Sequence, residues 1–194
     1  MKLILASASP RRAEILTKVG LKFSVCVVNV DEAVAVESNP ANLVSSLALR
    51  KAQAVANTMS SGLVLGADTV VVLDNEVLGK PASPAEAEQM LHRLSGRVHR
   101  VFTGVALIDK VQSRTLMAVE TTRVYFRPLS VLEIKAYVAT GEPMDKAGAY
   151  GIQEKGAVLV ERIEGCYFNV VGLPVVKVIQ MLSQLGFNLY QHWS

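Results

Sequence analysis

Two arginines follow a serine-rich turn near the start of the chain. Residues 7–12 read Ser-Ala-Ser-Pro-Arg-Arg, between an apolar run and a helical pattern. Ser9 suits the N-cap of that helix and Pro10 its first position. Arg11 and Arg12 then lie in the first turn, where the positive end of the helix dipole disfavours each cation by roughly 0.3–1 kcal/mol unless an anion binds there. Backbone N–H groups, hydroxyls and guanidinium groups together could bind a phosphate, and the alternative is two exposed arginines on an ordinary helix start.

Acidic residues stand in or directly after two apolar runs. Asp68 lies inside the run 63–73, where an unpaired carboxylate costs several kcal/mol of stability. Asp31 and Glu32 follow a second strand-like run. If their oxygens converge with Asp68, the set suits Mg²⁺ or Mn²⁺ bridging phosphates. The alternatives are a structural Asp68 at a bulge beside Gly66 and a solvated pair of turn acids.

Three lysines could supply further positive charge. Lys51 lies on the apolar face of a predicted helix, where a lysine either reaches water or meets an anion. Lys80 lies in the segment 79–81, Gly-Lys-Pro, which the proline holds extended. Lys146 follows an aspartate in the segment 145–153.

The segment 145–153 is polar and glycine-rich between apolar flanks, which predicts a functional loop. Tyr150 could stack on a nucleobase. Gln153, whose amide both donates and accepts, could hydrogen-bond a base edge. Packing within the loop is the alternative for both residues.

The elements that carry these residues alternate between helices and strands. Helix starts are predicted near Ser9, Asn39, Ser83, Ser130 and Pro174, with a capping box formed by Ser83 and Glu86. Strands are predicted over 3–6, 23–28, 63–73, 98–108, 116–126, 157–163 and 167–171, the last two pairing across Glu164-Gly165. Asp74-Asn75 offers a hairpin turn. This order predicts an α/β fold, a mixed β-sheet flanked by helices.

The composition fits a globular protein that binds a small anion. The chain has 194 residues, is 51% hydrophobic and carries a formal charge of +3, and its scattered basic residues favour a small polyanion over nucleic acid. No apolar stretch approaches the roughly 18 residues of a membrane span, so we expect a soluble, cytoplasmic protein without a membrane partner. Cys26 and Cys166 are predicted to be buried free thiols. Walker A, dinucleotide-binding, nucleophile-elbow and zinc-ligand patterns are missing from the sequence.

Six segments, in this order, resemble the Maf family of nucleotide pyrophosphatases, and the resemblance covers nearly the whole chain. They are Ser7–Arg12, Asp31-Glu32, Lys51-Ala52, Gly66–Thr69, Gly79–Pro81 and Asp145–Gln153. The resemblance implies one domain over residues 1–194, or two lobes around a central cleft, with a fold like that of inosine triphosphate pyrophosphatase. It also implies a homodimer and a metal-dependent enzyme, using Mg²⁺ or Mn²⁺, that cleaves the α,β-bond of a nucleoside triphosphate.

The resemblance also implies roles for single residues. Asp68 becomes the general base, and we expect Glu32 and Asp68 to hold the metal. The residues expected to select the substrate are Arg12, Thr69 and Gln153, which are similar to those of the dTTP/UTP subgroup and differ from those of the 7-methyl-GTP subgroup. The residues expected to bind phosphate are Ser7, Ser9, Arg11, Lys51, Lys80 and Lys146. Arg50 departs from the pattern, since relatives often carry Glu or Gln there.

Two other functions stay open from the sequence. A non-catalytic nucleotide sensor that regulates cell division would bind nucleotide without releasing pyrophosphate. A phosphatase could use Asp68 as a covalent nucleophile, although the Asp-x-Asp pairing common in that class is missing, since Thr69-Val70 follows Asp68.

Overall fold

The sheet is mixed, as the sequence predicts. A computed structural model describes residues 2–30 and 39–193. In this part of the chain the strands are β1 (Leu3–Ala6), β2 (Phe23–Val25), β3 (Leu63–Leu73), β4 (Glu76–Leu78), β5 (Val98–Asp109), β6 (Arg114–Phe126) and β7 (Val160–Glu164). The strand order is β2-β1-β3-β5-β6-β7, and β4 pairs with β3. β1 runs parallel to β2 and β3, whereas the β3–β4 and β6–β7 pairs are antiparallel.

Within the described residues, the helices begin where capping residues and prolines predict them, except for the helix at residues 167–171. They are α1 (Pro10–Lys18), α2 (Pro40–Ala56), α3 (Pro84–Leu94), α4 (Val131–Ala139), α5 (Tyr167–Val171) and α6 (Val175–Gln184), with short 3₁₀ turns at Glu142–Asp145, Ala147–Ala149, Lys155–Leu159 and Leu189–His192. Asn39 caps α2 by accepting a hydrogen bond from the Ala41 N–H. Ser130 and Glu133 form a complete capping box on α4. No helix within the described residues is both long enough and apolar enough to cross a bilayer.

The predicted capping box at α3 is only half formed. The Ser83 hydroxyl accepts a hydrogen bond from the Glu86 N–H at 3.2 Å, as expected. The Glu86 carboxylate, however, accepts from the Ala82 N–H at 2.7 Å and not from Ser83. The carboxylate therefore binds the N–H of the residue before the N-cap.

The predicted hairpin of residues 157–163 and 167–171 is wrong. β7 pairs with β6, with Arg123 opposite Glu164, and residues 167–171 form helix α5. Thr122 of β6 bonds both the N–H and the carbonyl of Cys166, which holds the start of α5 beside β6. A short apolar run fits a buried strand and a buried helix equally well. In the structure β7 pairs with β6 and not with residues 167–171, which are helical.

Two smaller predictions also need correction. β2 ends at Val25 and does not reach Val28, and Val25, Val27 and Val28 are exposed. Cys26 and Cys166 are free thiols, as expected, but both are only half-buried.

The structure divides into two compact units. Unit 1 comprises Met1–Asp68, Thr103–Glu120 and Gly172–Ser194, and unit 2 comprises Thr69–Phe102 and Thr121–Val171. In unit 1 an apolar cluster joins α2 to β1, β3 and β5; its members include Ile4, Ala48, Ala52, Val64 and Ala106. In unit 2 a second cluster joins α3 and α4 to the sheet; its members include Leu73, Leu91, Leu94, Val124, Phe126 and Ile134.

Candidate functional site

Unit 1 contains an ion pair between two of the predicted site residues. The Nζ atom of Lys51 lies 2.6 Å from Oδ1 of Asp68, and the two side chains are 19% and 13% exposed. The carboxylate in the apolar strand is therefore paired, which offsets part of the cost of burying it. A paired carboxylate that still reaches solvent keeps a fixed orientation and stays accessible to a ligand.

Small residues in α2 and β3 create this pair. A Cβ atom at Gly66 would lie 2.3 Å from the carbonyl oxygen of Ala48 and 2.8 Å from the amide nitrogen of Ala52. The backbone of α2 therefore lies directly on β3, at a distance that only glycine permits. Lys51 is one residue before Ala52 and Asp68 two residues after Gly66, so this close approach brings their charges together.

Arg12 is a buried hydrogen-bonding centre in unit 1. Only 8% of the residue is exposed. Its Nε donates to the carbonyl of Gly172 at 2.8 Å, and its Nη1 donates at 2.9 Å to the Ser7 hydroxyl and to the carbonyl of Ala67. The structure thus brings Arg12 and Ser7 together and ties both to the residue before Asp68.

The start of α1 lacks a side-chain cap within the described part of the chain. Ser9 is the N-cap residue by position, as predicted, but its hydroxyl makes no capping hydrogen bond to the described residues. Its N–H donates to the Ser7 hydroxyl at 3.3 Å. Arg11 is half-buried in the first turn. Phosphate binding by Ser7, Ser9 and Arg11 stays a prediction.

The predicted metal site is described only in part. Asp31 and Glu32 lie outside the described residues. Within those residues, no three side chains of His, Cys, Asp or Glu form a group that could hold a metal ion. Asp68 itself is a hard oxygen donor, and its ion pair with Lys51 uses Oδ1. This donor suits Mg²⁺, which typically binds one or two carboxylates together with substrate phosphates.

In unit 2, the Lys146 ammonium is held by its own loop. Its Nζ donates to the carbonyl of Glu142 at 2.6 Å and to Oδ1 of Asp145 at 2.8 Å, and the residue is buried. Lys80 is exposed. The carbonyl of Gly79, its neighbour, accepts a hydrogen bond from the Gly148 N–H at 3.0 Å. The Lys80 segment and the segment 145–153 are therefore brought together.

Tyr150 belongs to the core, so the idea that it stacks on a base is wrong and the packing alternative holds. It is 5% exposed, and its ring meets Phe126 edge-on with centroids 4.8 Å apart. Its hydroxyl lies 2.8 Å from Nε2 of His99. Burial lowers the pKa of His99 to about 4 and raises the pKa of Tyr150. Both side chains therefore stay neutral near pH 7.

Thr69 and Gln153, predicted to select the substrate, are both half-buried residues of unit 2. Thr69 lies within β3, next to the ion-paired Asp68. Gln153 lies in an irregular segment between two 3₁₀ turns. Their role in selection stays a prediction.

Sequence reasoning missed two residues, Tyr137 and Glu142. The Tyr137 hydroxyl and the Glu142 carboxylate bind backbone N–H groups on both sides of Gln153. Glu142 stands between Gly141 and Pro143, a setting typical of the end of a helix. A glutamate beside a turn that lies close to a candidate binding loop was the available signal.

A family model described as "Maf-like protein" matches residues 2–185. The chain is 57% identical over 189 residues to the dTTP/UTP pyrophosphatase of Symbiobacterium thermophilum, and the match covers 97% of this chain and 96% of the relative. It is 53% identical over 189 residues to the dTTP/UTP pyrophosphatase of Moorella thermoacetica, covering 97% of each.

Among solved structures, the chain resembles a HAM1 protein from Coxiella burnetii. The TM-score is 0.50 at 17% sequence identity, and the match covers 81% of this chain and 91% of that protein. At this identity the likeness concerns the fold alone. It confirms the predicted α/β class.

Proposed function

Because this chain belongs to the Maf family, we propose that it is a nucleoside triphosphate pyrophosphatase that hydrolyses dTTP and UTP to the monophosphate and pyrophosphate. The observation that carries this proposal is the 57% identity to a dTTP/UTP pyrophosphatase over 97% of the chain. The paired Lys51 and Asp68 support it independently, because phosphoryl transfer needs a positioned base and positive charge close together.

Asp68 is the proposed general base. Its carboxylate takes a proton from a water molecule whose oxygen forms a bond to the α-phosphorus. The bond between that phosphorus and the α,β-bridging oxygen breaks, and pyrophosphate leaves with the bonding electrons. Lys51 orients the carboxylate through the 2.6 Å ion pair, and a fixed base removes much of the entropic cost of this step.

Positive side chains would stabilise the charge that develops on the phosphate oxygens. Arg11, Lys51, Lys80 and Lys146 are the proposed cations, with the Ser7 and Ser9 hydroxyls as further donors. Arg12 acts differently, because its guanidinium already bonds Ser7 and the carbonyls of Ala67 and Gly172. We propose that Arg12 holds the serine-rich turn of residues 7–12 in place. With Thr69 and Gln153, it would also favour pyrimidine nucleotides.

A divalent cation, Mg²⁺ or Mn²⁺, is the proposed cofactor, with Glu32 and Asp68 as its protein ligands. When bound, it would neutralise phosphate charge. The homodimer implied by the family resemblance stays a prediction, which light scattering on the purified protein would check.

The proposed function is tested by pyrophosphate release from UTP, dTTP, CTP, dCTP, GTP and ATP, with Mg²⁺, with Mn²⁺ and with EDTA. We expect release from UTP and dTTP that requires the cation. Tight binding of nucleotide without pyrophosphate release would instead favour the non-catalytic regulator. A trapped phospho-Asp68 would favour the phosphatase.

The base assignment is tested by Asp68→Asn. We expect turnover to fall by about 10²–10⁴-fold while UTP binding persists, because the amide cannot accept the water proton. Asp109→Asn is the control in the same unit, since Oδ1 of Asp109 accepts from the N–H groups of Val111 and Gln112 and an amide oxygen can do the same. Its free energy of unfolding is measured beside its turnover, because Oδ2 is buried without a partner among the described residues. Unchanged turnover of Asp68→Asn would overturn the assignment.

A further inference from the structure

Residues 151–156 form a small closed loop in unit 2, with Gln153 near its tip. A Cβ atom at Gly156 would lie 2.3 Å from the carbonyl oxygen of Gly151 and 3.1 Å from its nitrogen. The two ends of this 151–156 loop are therefore in direct backbone contact. Because both ends lie at one place, whatever holds them there also sets where Gln153 points.

Two side chains outside the loop hold its ends. The Tyr137 hydroxyl of α4 accepts a hydrogen bond from the Gly151 N–H at 3.1 Å and donates to Oε1 of Glu142 at 2.9 Å. Glu142 in turn accepts from the Gly156 N–H on Oε1 and from the Lys155 N–H on Oε2, both at 3.1 Å. We call these two residues the Tyr137–Glu142 pair.

Burial of Tyr137 favours these hydrogen bonds. Tyr137 is 5% exposed, and burial raises the pKa of its hydroxyl, with the Glu142 charge adding to the effect. The hydroxyl therefore keeps its proton and can donate to Glu142 while it accepts from Gly151. Gly151 is also packed against Lys146, since a Cβ there would lie 2.6 Å from the lysine Cε.

We propose that the Tyr137–Glu142 pair positions Gln153 for base selection. The inference rests on the proposed function, in which Gln153 hydrogen-bonds the pyrimidine base. It assigns the discrimination between bases in part to two residues that need not touch the nucleotide. Releasing either end of the loop lets the Gln153 amide move. Selection between bases by hydrogen bonding depends on where the Gln153 amide lies, and it is lost when the amide shifts.

The test uses the full chain and three variants of the pair. Tyr137→Phe keeps the ring and removes the hydroxyl. Glu142→Ala removes the carboxylate, whereas Glu142→Gln keeps one oxygen that can still accept from Tyr137 and Gly156. Tyr150→Phe is the matched control, because it also deletes a buried, hydrogen-bonded hydroxyl in unit 2, one that faces His99 and not the 151–156 loop.

Two readouts separate positioning from general destabilisation. The first is amide hydrogen exchange of residues 151–156. The second is the ratio of dissociation constants for α,β-methylene analogues of UTP and CTP, which needs no turnover. The free energy of unfolding is measured for every variant, so that selectivity is compared at known stability.

We expect Tyr137→Phe and Glu142→Ala to speed exchange at Gly151, Lys155 or Gly156 and to lower the UTP preference by about tenfold. Glu142→Gln should keep most of the wild-type protection from exchange and most of the wild-type preference for UTP. Tyr150→Phe should have a lower free energy of unfolding, but the exchange pattern of residues 151–156 and the preference for UTP should stay as in the wild type.

Unchanged preference in Tyr137→Phe and Glu142→Ala would overturn the inference, as would an equal loss in Tyr150→Phe. Absence of pyrophosphate release from wild-type protein with UTP would instead overturn the proposed function. The two failures are distinguishable because the analogue-binding ratio does not depend on hydrolysis.

Discussion

The guanidinium of Arg12 donates a hydrogen bond to the carbonyl of Ala67, the residue directly before Asp68. The same nitrogen also bonds the Ser7 hydroxyl. The serine-rich turn at the start of α1 and the strand that carries the proposed base are therefore joined by one buried side chain. Arg12 would organise the site even without touching a ligand.

Arg12→Lys is expected to lower the free energy of unfolding by about 2–3 kcal/mol, because a lysine cannot reproduce the fork of donors and leaves buried carbonyls unsatisfied. Urea denaturation measures this loss. The same substitution at Arg93, whose ion pair with Glu76 is exposed, should change the value by less than about 1 kcal/mol. Equal losses at the two positions would contradict a structural role for Arg12.

Gly66→Ala is expected to push α2 away from β3 and to separate Lys51 from Asp68. The added methyl group would meet backbone atoms of Ala48 and Ala52, which cannot rotate aside. We expect a loss of about 1–3 kcal/mol in the free energy of unfolding and a fall in UTP turnover. Gly79→Ala serves as the stability control, because no atom of the described residues outside its immediate chain neighbours lies within 4 Å of its added methyl. A Gly66→Ala protein with wild-type stability would contradict the close packing.

Two serines at helix starts should respond differently to alanine. Ser130 caps α4 through its hydroxyl, so Ser130→Ala is expected to cost about 1 kcal/mol of stability. Ser9 makes no such bond to the described residues, so Ser9→Ala should cost less stability but raise the KM for UTP if its hydroxyl binds phosphate. Thermal melts and steady-state kinetics measure the two effects. The opposite pattern would indicate that Ser9 is merely a cap.

Stability should fall on mild acidification because of His99. Burial lowers its pKa to about 4 in the folded protein, against an ordinary value of about 6.5 in the unfolded chain. Between these values the unfolded chain binds more protons, so the free energy of unfolding falls as the pH drops, by roughly 3 kcal/mol in total. Urea denaturation from pH 7 to pH 4 measures the slope. His99→Gln should flatten it, and an equal slope in both proteins would exclude His99 as the cause.

Short apolar segments show where sequence patterns stop being informative. Residues 63–73 were correctly predicted as a strand, because the run is long and flanked by turn residues. Residues 167–171 were predicted as a strand but form α5, since five mostly apolar residues suit either structure. Tyr150 presented the same difficulty among site residues: a tyrosine in a glycine-rich loop can face a ligand or the core, and only the packing against Phe126 and His99 distinguishes the two.

The sequence by itself determined the features that depend on neighbouring residues. Caps, prolines and hydrophobic periodicity placed α1 to α4 and the long strands, and the order of six motifs indicated the family, because these signals act over a few residues. The tertiary structure alone decided which distant groups touch. Lys51 meets Asp68 across 17 positions and Arg12 meets Gly172 across 160. The first contact depends on how closely α2 can approach β3, and that distance is set by packing around Gly66.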